Sequence, residues 1–470
     1  MLAKSRLARE ACGRHGKAGG REQGDACVDT MSSQVELGQT IDELAVGRYH
    51  IWISVLCAAV VFMDGFDSQA MGYVAPTLTK AWNLKPGQLG PVFSAGLFGI
   101  MLGALSGGPL ADAVGRRWVI LGSCLIFGAL SIATAFAGDM TQLMGLRFAT
   151  GLGLGAAMPN AIAMVSEYSP ARRRATMVMI MFCGFSLGAA FGGFAAGYLV
   201  PSYGWQSVFM VGGIAPILFA PLLVAALPES IRFLAAKNSQ HRAIAPILTR
   251  LGRTPPANAT FVIAEEKASG FSVLQLFAER RAVATVLLWV VFFMSLLDLY
   301  LLASWLPTVF NGMGLDVSKA VLIASLFQIG GTFAPPLLGW TIDRVGFFGV
   351  MVCTYLAAAG AIAGLGVVGP EVGPLSLAVF AAGFCVVGGQ GSANALASSL
   401  YPTVIRGTGV GWALGIGRIG SIVGPAIGAT MLAQKLDRPS VFLISAIPAL
   451  IAATAALCLW LLKPKLTNAH

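Results

Sequence analysis

The sequence predicts an all-α membrane protein of twelve transmembrane helices in two six-helix halves. Three observations carry that prediction. Only 11% of the residues are charged and 56% are hydrophobic, against about 25% charged in soluble domains. Apolar runs of roughly 20 residues, enough helix to cross about 30 Å of hydrocarbon, recur along the chain. Two unrelated residue patterns also repeat with nearly the same shift.

The apolar runs place the first six spans near 51–73, 89–111, 118–137, 141–165, 176–200 and 205–227. The second six fall near 283–310, 318–342, 348–368, 374–399, 407–432 and 441–462. This divides the chain into a polar tail (1–48), an N-terminal half (49–227), a polar connecting loop (228–282), a C-terminal half (283–462) and a short tail (463–470). Residues 1–30 are glycine-rich and basic, without the apolar core of a cleavable signal. Met31 then opens a segment that runs smoothly into the first span, so translation is expected to start there. A disordered tail is the alternative.

The net charge is +10 and the isoelectric point about 9.4, which in a soluble chain would raise nucleic acid as a partner. The placement of the charge excludes it. Arg116, Arg117, Arg172, Arg173, Arg174, Arg232, Lys237, Arg242, Arg250, Arg253, Arg280, Arg281, Arg344, Arg406, Lys463 and Lys465 fall on one side, in alternate connections. The other side holds little beyond Lys80, Lys85, Lys319, Lys435 and Arg438. This is the positive-inside bias, and it predicts a bacterial inner-membrane protein with both termini cytoplasmic.

No enzyme is expected. The four histidines are His15, His50, His241 and His470, none in mid-span, and no cysteine pair has metal or redox spacing. Metal ligands and a nucleophile with its base are therefore missing. A channel is disfavoured by the duplicated halves and the lack of a filter-like repeat.

The duplication is explicit. Gly108-x3-Asp112-x2-Gly115 returns as Gly339-x3-Asp343-x2-Gly346, a shift of 231 residues (343 − 112). Pro170-x3-Arg174-x-Thr176-x11-Gly188-x3-Gly192 returns as Pro402-x3-Arg406-x-Thr408-x11-Gly420-x3-Gly424, a shift of 232 (402 − 170). Major facilitator transporters are built from such parallel halves, with substrate held near the midplane between them.

Several residues inside these spans point to chemistry. Asp64-Gly-Phe-Asp67 puts two carboxylates on one face of the first helix. Charge at membrane depth is functional by default, and neighbouring desolvated acids favour proton binding. Arg147 shares a helix face with Gly151 and Gly155; it either binds an anionic solute or neutralises Asp64 or Asp67. Arg418, flanked by Gly417 and Gly420, lies about 18 Å of helix past its cytoplasmic end, which makes it the preferred anchor for an anion. Asp298 is a further acid within a span, either a proton site, a tuner of substrate choice, or the partner of a nearby donor. Tyr300, Trp305, Phe327, Gln328, Gln390 and Asn394 are candidates for ring and hydrogen-bond contacts to cargo, with packing as the bland alternative.

The segment 107–117 resembles the signature cytoplasmic loop of the major facilitator superfamily. Gly108 and Gly115 permit the turn, and Asp112, Arg116 and Arg117 are expected to form a charge network that gates the access states. The second copy has Phe347-Phe348 where a further basic residue is usual, a weaker latch. Together, Asp64-Gly-Phe-Asp67, this loop, Arg147 with its glycines and Ser166-Glu-Tyr-Ser-Pro-x-x-Arg-Arg174 resemble the aromatic acid:proton symporter family. Met181-Phe-Cys-Gly-Phe185, Ser304-Trp-Leu-Pro307, Phe327-Gln-x-Gly330 and Arg406-Gly-Thr-Gly-x-Gly411 through Arg418 add to the likeness, which runs from Met31 to about residue 460.

The resemblance implies that Asp64 and Asp67 are the family's essential first-helix carboxylates. It also marks Asp112, Arg147, Glu167, Asp343, Arg406 and Arg418 as charges needed for transport, with Glu167 and Arg406 at helix ends in gating or topological roles. The implied function is proton-coupled uptake of a small, hydroxybenzoate-like aromatic carboxylate, serving aromatic hydrocarbon catabolism. The proton is the coupling ion, no other cofactor or metal is expected, and a monomer in the lipid bilayer is the working unit. Another organic anion as cargo, or export of a solute, is the alternative.

Overall fold

The computed structural model describes residues 34–237, 240–256, 260–262, 276–277, 281–401 and 406–467. Among these, twelve helices are long and apolar enough to cross a membrane. They are α1 (Arg48–Ala81), α2 (Gly90–Val114), α3 (Arg116–Thr134), α4 (Met140–Tyr168), α5 (Arg174–Tyr203) and α6 (Gln206–Ala226). The second half holds α7 (Ala282–Gly312), α8 (Val317–Val345), α9 (Phe347–Val367), α10 (Val372–Leu400), α11 (Arg406–Ala433) and α12 (Arg438–Thr467).

Several helices overrun the apolar windows. At 34 residues, α1 is about 51 Å long at 1.5 Å per residue, well beyond about 30 Å of hydrocarbon. Helix hydrogen bonds satisfy the backbone on both sides of the interface, so hydropathy does not fix where such a helix ends. Gly115 closes α2 and opens α3 at φ 105°, and its repeat mate Gly346 does the same between α8 and α9 at φ 94°. A side chain is disfavoured in that region of backbone space, which explains a glycine at both places.

The repeat is visible in the packing. Within the N-terminal half α1 packs on α5, α2 on α4 and α3 on α6; within the C-terminal half the pairs are α7 with α11, α8 with α10 and α9 with α12. Glycines make these crossings close. A methyl group on Gly188 would overlap the carbonyl of Phe62, and one on Gly420 that of Phe293. Likewise Gly151 meets the Gly96 carbonyl and Gly383 that of Phe327. In lipid, where apolar burial gives helices little reason to associate, such small-residue contacts supply the attraction.

Across the halves α5 packs on α8, α2 on α11 and α1 on α7. The contacts cluster at the helix ends away from the arginine-rich connections. Ser94 donates to the Ile422 carbonyl at 3.0 Å and Ser318 to that of Gly197 at 2.7 Å. The Phe93 and Trp305 rings meet edge-on at 5.1 Å, and Gly90 abuts Ala429. At the other ends, Gly108 of α2 and Gly411 and Gly415 of α11 face open space. The seam is closed on the arginine-poor side.

The connecting loop contributes short helices Ile231–Ala236 and Gln240–Arg250 and a strand, Thr260–Val262. That strand pairs in parallel with Gln34–Glu36, from the segment read as a tail. Asp42 and Glu43, just beyond, bond Arg174 at 3.0 Å and Arg253 at 2.7 Å.

Candidate functional site

Helices α1 and α7 are the most buried of the twelve, with 61% and 67% of their apolar windows inside the protein. Polar side chains on their inner faces must therefore find partners within the bundle. The α1–α5 crossing fixes the rotation of α1: Gly65 lies against the Phe185 backbone, and Asp64 and Asp67 on either side of it turn inward, both buried.

Asp67 is saturated with donors. Arg147 on α4 reaches it with Nη2 at 2.7 Å from Oδ2 and Nη1 at 3.3 Å from Oδ1, while Nη2 also donates to the Asp67 carbonyl at 3.2 Å. Ser131 on α3 donates to Oδ1 at 2.7 Å. The guanidinium lies 5.4 Å from the Phe209 ring centre, so its face is covered as well. Of the two roles open to Arg147, this state shows neutralisation of Asp67. Arg147 also borders a cavity of about 30 Å³ with Ser68, Gln69, Tyr300 and Ser304, room for a water or two rather than an aromatic ring.

Asp64 is placed differently. Ser68 donates to its Oδ1 at 3.0 Å, and no ion pair reaches it among the described residues. Across the seam, Arg418 of α11 lies within electrostatic reach of it. Arg418 is half-buried. Its Nη1 lies 3.4 Å from the Tyr300 hydroxyl on α7 and its Nη2 4.0 Å from the Met158 sulfur on α4. One side chain thus touches both halves. Twelve residues separate it from the start of α11 at Arg406, about 18 Å of helix. Among the described residues it makes no salt bridge, so a buried-depth guanidinium retains donors for an anion.

The other flagged cargo contacts scatter. Trp305 is buried on the closed side of the seam, its Nε1 donating to the Pro425 carbonyl at 3.0 Å. Gln390 donates to Asn394 one turn on, at 3.3 Å; Gln390 is buried and Asn394 exposed. Gln328 is buried with its Nε2 unpartnered. Asp298 is 2% exposed within α7.

On the arginine-rich side, the Gly115 turn is filled by Glu229, from the segment after α6. Glu229 accepts from the backbone N–H groups of Arg117 at 3.1 Å and Ser230 at 2.8 Å, and Arg117 bonds the Val224 carbonyl. Glu167 accepts from Ser230 at 2.6 Å, pairs with Arg116 and lies 3.9 Å from Arg232. Glu229 and Ser230 were absent from the sequence-based set. Ser230 carries a helix-start signal, since it caps Ile231–Ala236, but nothing local connects it to Glu167, 63 residues away. Asp112 is exposed and joins none of these bonds. The network ties together helix ends of one half and does not bridge the seam. In the second copy, Arg344 stacks on Trp340 at 3.8 Å. Asp343 and Arg406 belong to α8 and α11, but their side chains lie outside the described residues.

Known proteins match this arrangement along nearly the whole chain. The Major Facilitator Superfamily profile matches residues 57–425 and 288–469. A gallate transporter of Pseudomonas putida is 42% identical over 91% of this chain and 95% of its own. The 4-hydroxybenzoate transporter PcaK of the same species is 40% identical over 90% and 95%. Among solved structures, an inward-facing, occupied bacterial homologue of the human lysosomal transporter Spinster superposes with a TM-score of 0.69 at 15% identity, covering 88% of this chain and 97% of that one. The chain belongs to the Major Facilitator Superfamily of membrane transporters and, within it, to the aromatic acid:proton symporter family.

Proposed function

We propose that this protein carries a small hydroxybenzoate-like aromatic carboxylate inward together with a proton, by alternating access. The relatives named for gallate and 4-hydroxybenzoate support the class of cargo. The observation that carries the reading is Arg418: of the two arginines at membrane depth among the described residues, Arg147 is committed to Asp67, while the half-buried Arg418 faces the seam with no carboxylate partner. A guanidinium grips a carboxylate with two parallel bonds, and the Tyr300 hydroxyl beside it offers a further contact.

Proton coupling follows from Asp64. Ionised, Asp64 and a cargo carboxylate compete for the charge of Arg418. With a proton on Asp64, Arg418 is released to the cargo. Each ligand then raises the affinity for the other, because coupling between binding sites is reciprocal. Asp67, already neutralised by Arg147, is the structural member of the pair. The arginine bias supports a reading with both termini in the cytoplasm, in a bacterial inner membrane, with the monomer as the working unit and the proton as the sole coupling ion.

The test is uptake of labelled 4-hydroxybenzoate and gallate into proteoliposomes, with an inward proton gradient imposed or collapsed. Arg418→Lys keeps the charge and loses the fork; at about 1.5–3 kcal/mol for a charged hydrogen bond, affinity should fall roughly 10- to 100-fold. Asp64→Asn should retain exchange of internal for external substrate and lose gradient-driven accumulation. Wild-type accumulation indifferent to the gradient would sink symport. Single cysteines at Lys237 and Glu371, in a chain freed of its own cysteines, should label from opposite faces of the membrane.

A further inference from the structure

The two halves pair their helices in the same pattern, so each buried group has a repeat mate whose fate is informative. In α1 the carbonyls of Phe62 and Phe66 face Gly188 and Gly192 of α5; in α7 those of Phe293 and Leu297 face Gly420 and Gly424 of α11. The shift from α1 to α7 is therefore 231 (293 − 62). It carries Asp67 onto Asp298 (298 − 67). On the fourth helix of each half the register is fixed in the same way. Gly99 meets the Phe148 carbonyl and Gly330 that of Phe380, a shift of 232 (380 − 148), which carries Arg147 onto Val379.

The C-terminal half thus keeps the acid and replaces its cation by a buried valine. Asp67 has four hydrogen bonds from Arg147 and Ser131 to its carboxylate and carbonyl. Asp298 is 2% exposed, and its Oδ1 has no partner among the described residues. Its surroundings are hydroxyls. Ser295 stands one turn earlier on α7, and Tyr355 of α9 is close enough to interact with both; Ser295 Oγ and Tyr355 Oη themselves lack a bond within hydrogen-bond distance.

The helices packed against α7 are α1, α8, α10, α11 and α12, and the charges they bring are directed elsewhere. Asp64 and Asp67 of α1 hold to Ser68 and Arg147. Arg418 of α11 turns to Tyr300 and Met158. Lys319 of α8 lies near Asp316, and Arg438 of α12 bonds the Gly366 carbonyl. No salt bridge reaches Asp298 among the described residues.

An ionised carboxylate buried with no cation beside it and an oxygen left unpartnered is costly, and the cost is avoided by holding a proton. We propose that Asp298 is a second proton-binding site, in the C-terminal half, occupied in this state and discharged during the cycle. On the symport reading above, on which this rests, the carrier then moves two protons per cargo, one on Asp64 and one on Asp298.

The experiment is the accumulation ratio of labelled 4-hydroxybenzoate in proteoliposomes at a pH difference of one unit, with membrane potential clamped at zero. Each coupled proton multiplies the limiting ratio by about ten, since one pH unit is a tenfold factor in proton activity. Asp298→Asn, which mimics the protonated acid in shape, should lower the ratio about tenfold relative to wild type while substrate exchange persists. Asp298→Glu should keep the wild-type ratio. An unchanged ratio in a folded Asp298→Asn protein, with wild-type uptake still driven by the gradient, overturns the inference alone. Gradient-indifferent wild-type uptake overturns the symport reading instead. Should Asp298→Asn fail to fold, infrared spectroscopy of the Asp64→Asn protein decides: a buried carboxylic-acid carbonyl band that shifts in deuterated water is expected, and its absence overturns the proposal.

Discussion

The contact between Arg147 and Asp67 allows a sharp test of what Arg147 is for. The perturbation is Arg147→Met, which preserves length and packing but removes the charge. Asp67 is fully buried; without Arg147 its Oδ2 loses a 2.7 Å donor and only Ser131 remains, on Oδ1. Removing one partner of a buried ion pair typically costs about 3–5 kcal/mol, because the other charge is stranded, whereas removing both is near neutral. Arg147→Met should therefore be destabilised by about that amount, and Asp67→Asn combined with Arg147→Met should recover most of it. Thermal unfolding in detergent reads this through a thiol-reactive fluorophore, since Cys57 and Cys124 are completely buried and become reactive only on unfolding. If Arg147→Met unfolds with the wild type but binds cargo poorly, Arg147 serves the substrate and the structural assignment of Asp67 fails.

Two further outcomes are expected. Gly420→Val forces a side chain into the Phe293 carbonyl; overpacking costs about 1–3 kcal/mol or more, so the variant should insert poorly or unfold early, while valine at Gly411, which faces open space, should be tolerated in the same melting assay. Glu167→Gln weakens the bonds from Arg116, Arg232 and Ser230, by about 1.5–3 kcal/mol for a charged hydrogen bond. Because those groups lie far from the seam, maximal uptake rate should fall with little change in cargo affinity, and a large affinity change would place Glu167 in the cargo path.

Much of this was legible because it was written in periodic or duplicated form. Twelve apolar runs become twelve helices, and a repeat recognised from two turn and glycine patterns returns as matched crossings at Gly188 and Gly420. What stayed hidden depends on long-range placement. Ser131 looks like any small residue of a span, yet it is 64 residues from the carboxylate it serves. Glu229 sits in a polar connection where acids are unremarkable. The pairing of Gln34–Glu36 with Thr260–Val262 involves three residues on each side, too short for an alternation to declare itself. An aromatic residue in a span is legible as a candidate for either cargo contact or packing, and only the fold shows the Trp305 indole bonded to Pro425 and packed on Phe93.

The distribution of strong and weak contacts explains how such a molecule can move at all. Inside the halves the contacts are strong and close: glycine crossings without slack in both, and in the N-terminal half a buried ion pair and a charged cluster at the Gly115 turn. Across the closed end of the seam they are weak and neutral: two hydroxyl-to-carbonyl bonds, one edge-on aromatic pair and small-residue contacts. Neutral hydrogen bonds contribute about 0.5–1.5 kcal/mol each and an aromatic pair about as much. The outer closure is therefore held by a few kcal/mol, within reach of the differential binding of a small ligand. An ion pair of the Arg147–Asp67 kind across that seam would be too costly to open. Kept within one half, it holds α1 and α4 together and leaves the seam to Arg418, a cation at membrane depth in contact with both halves.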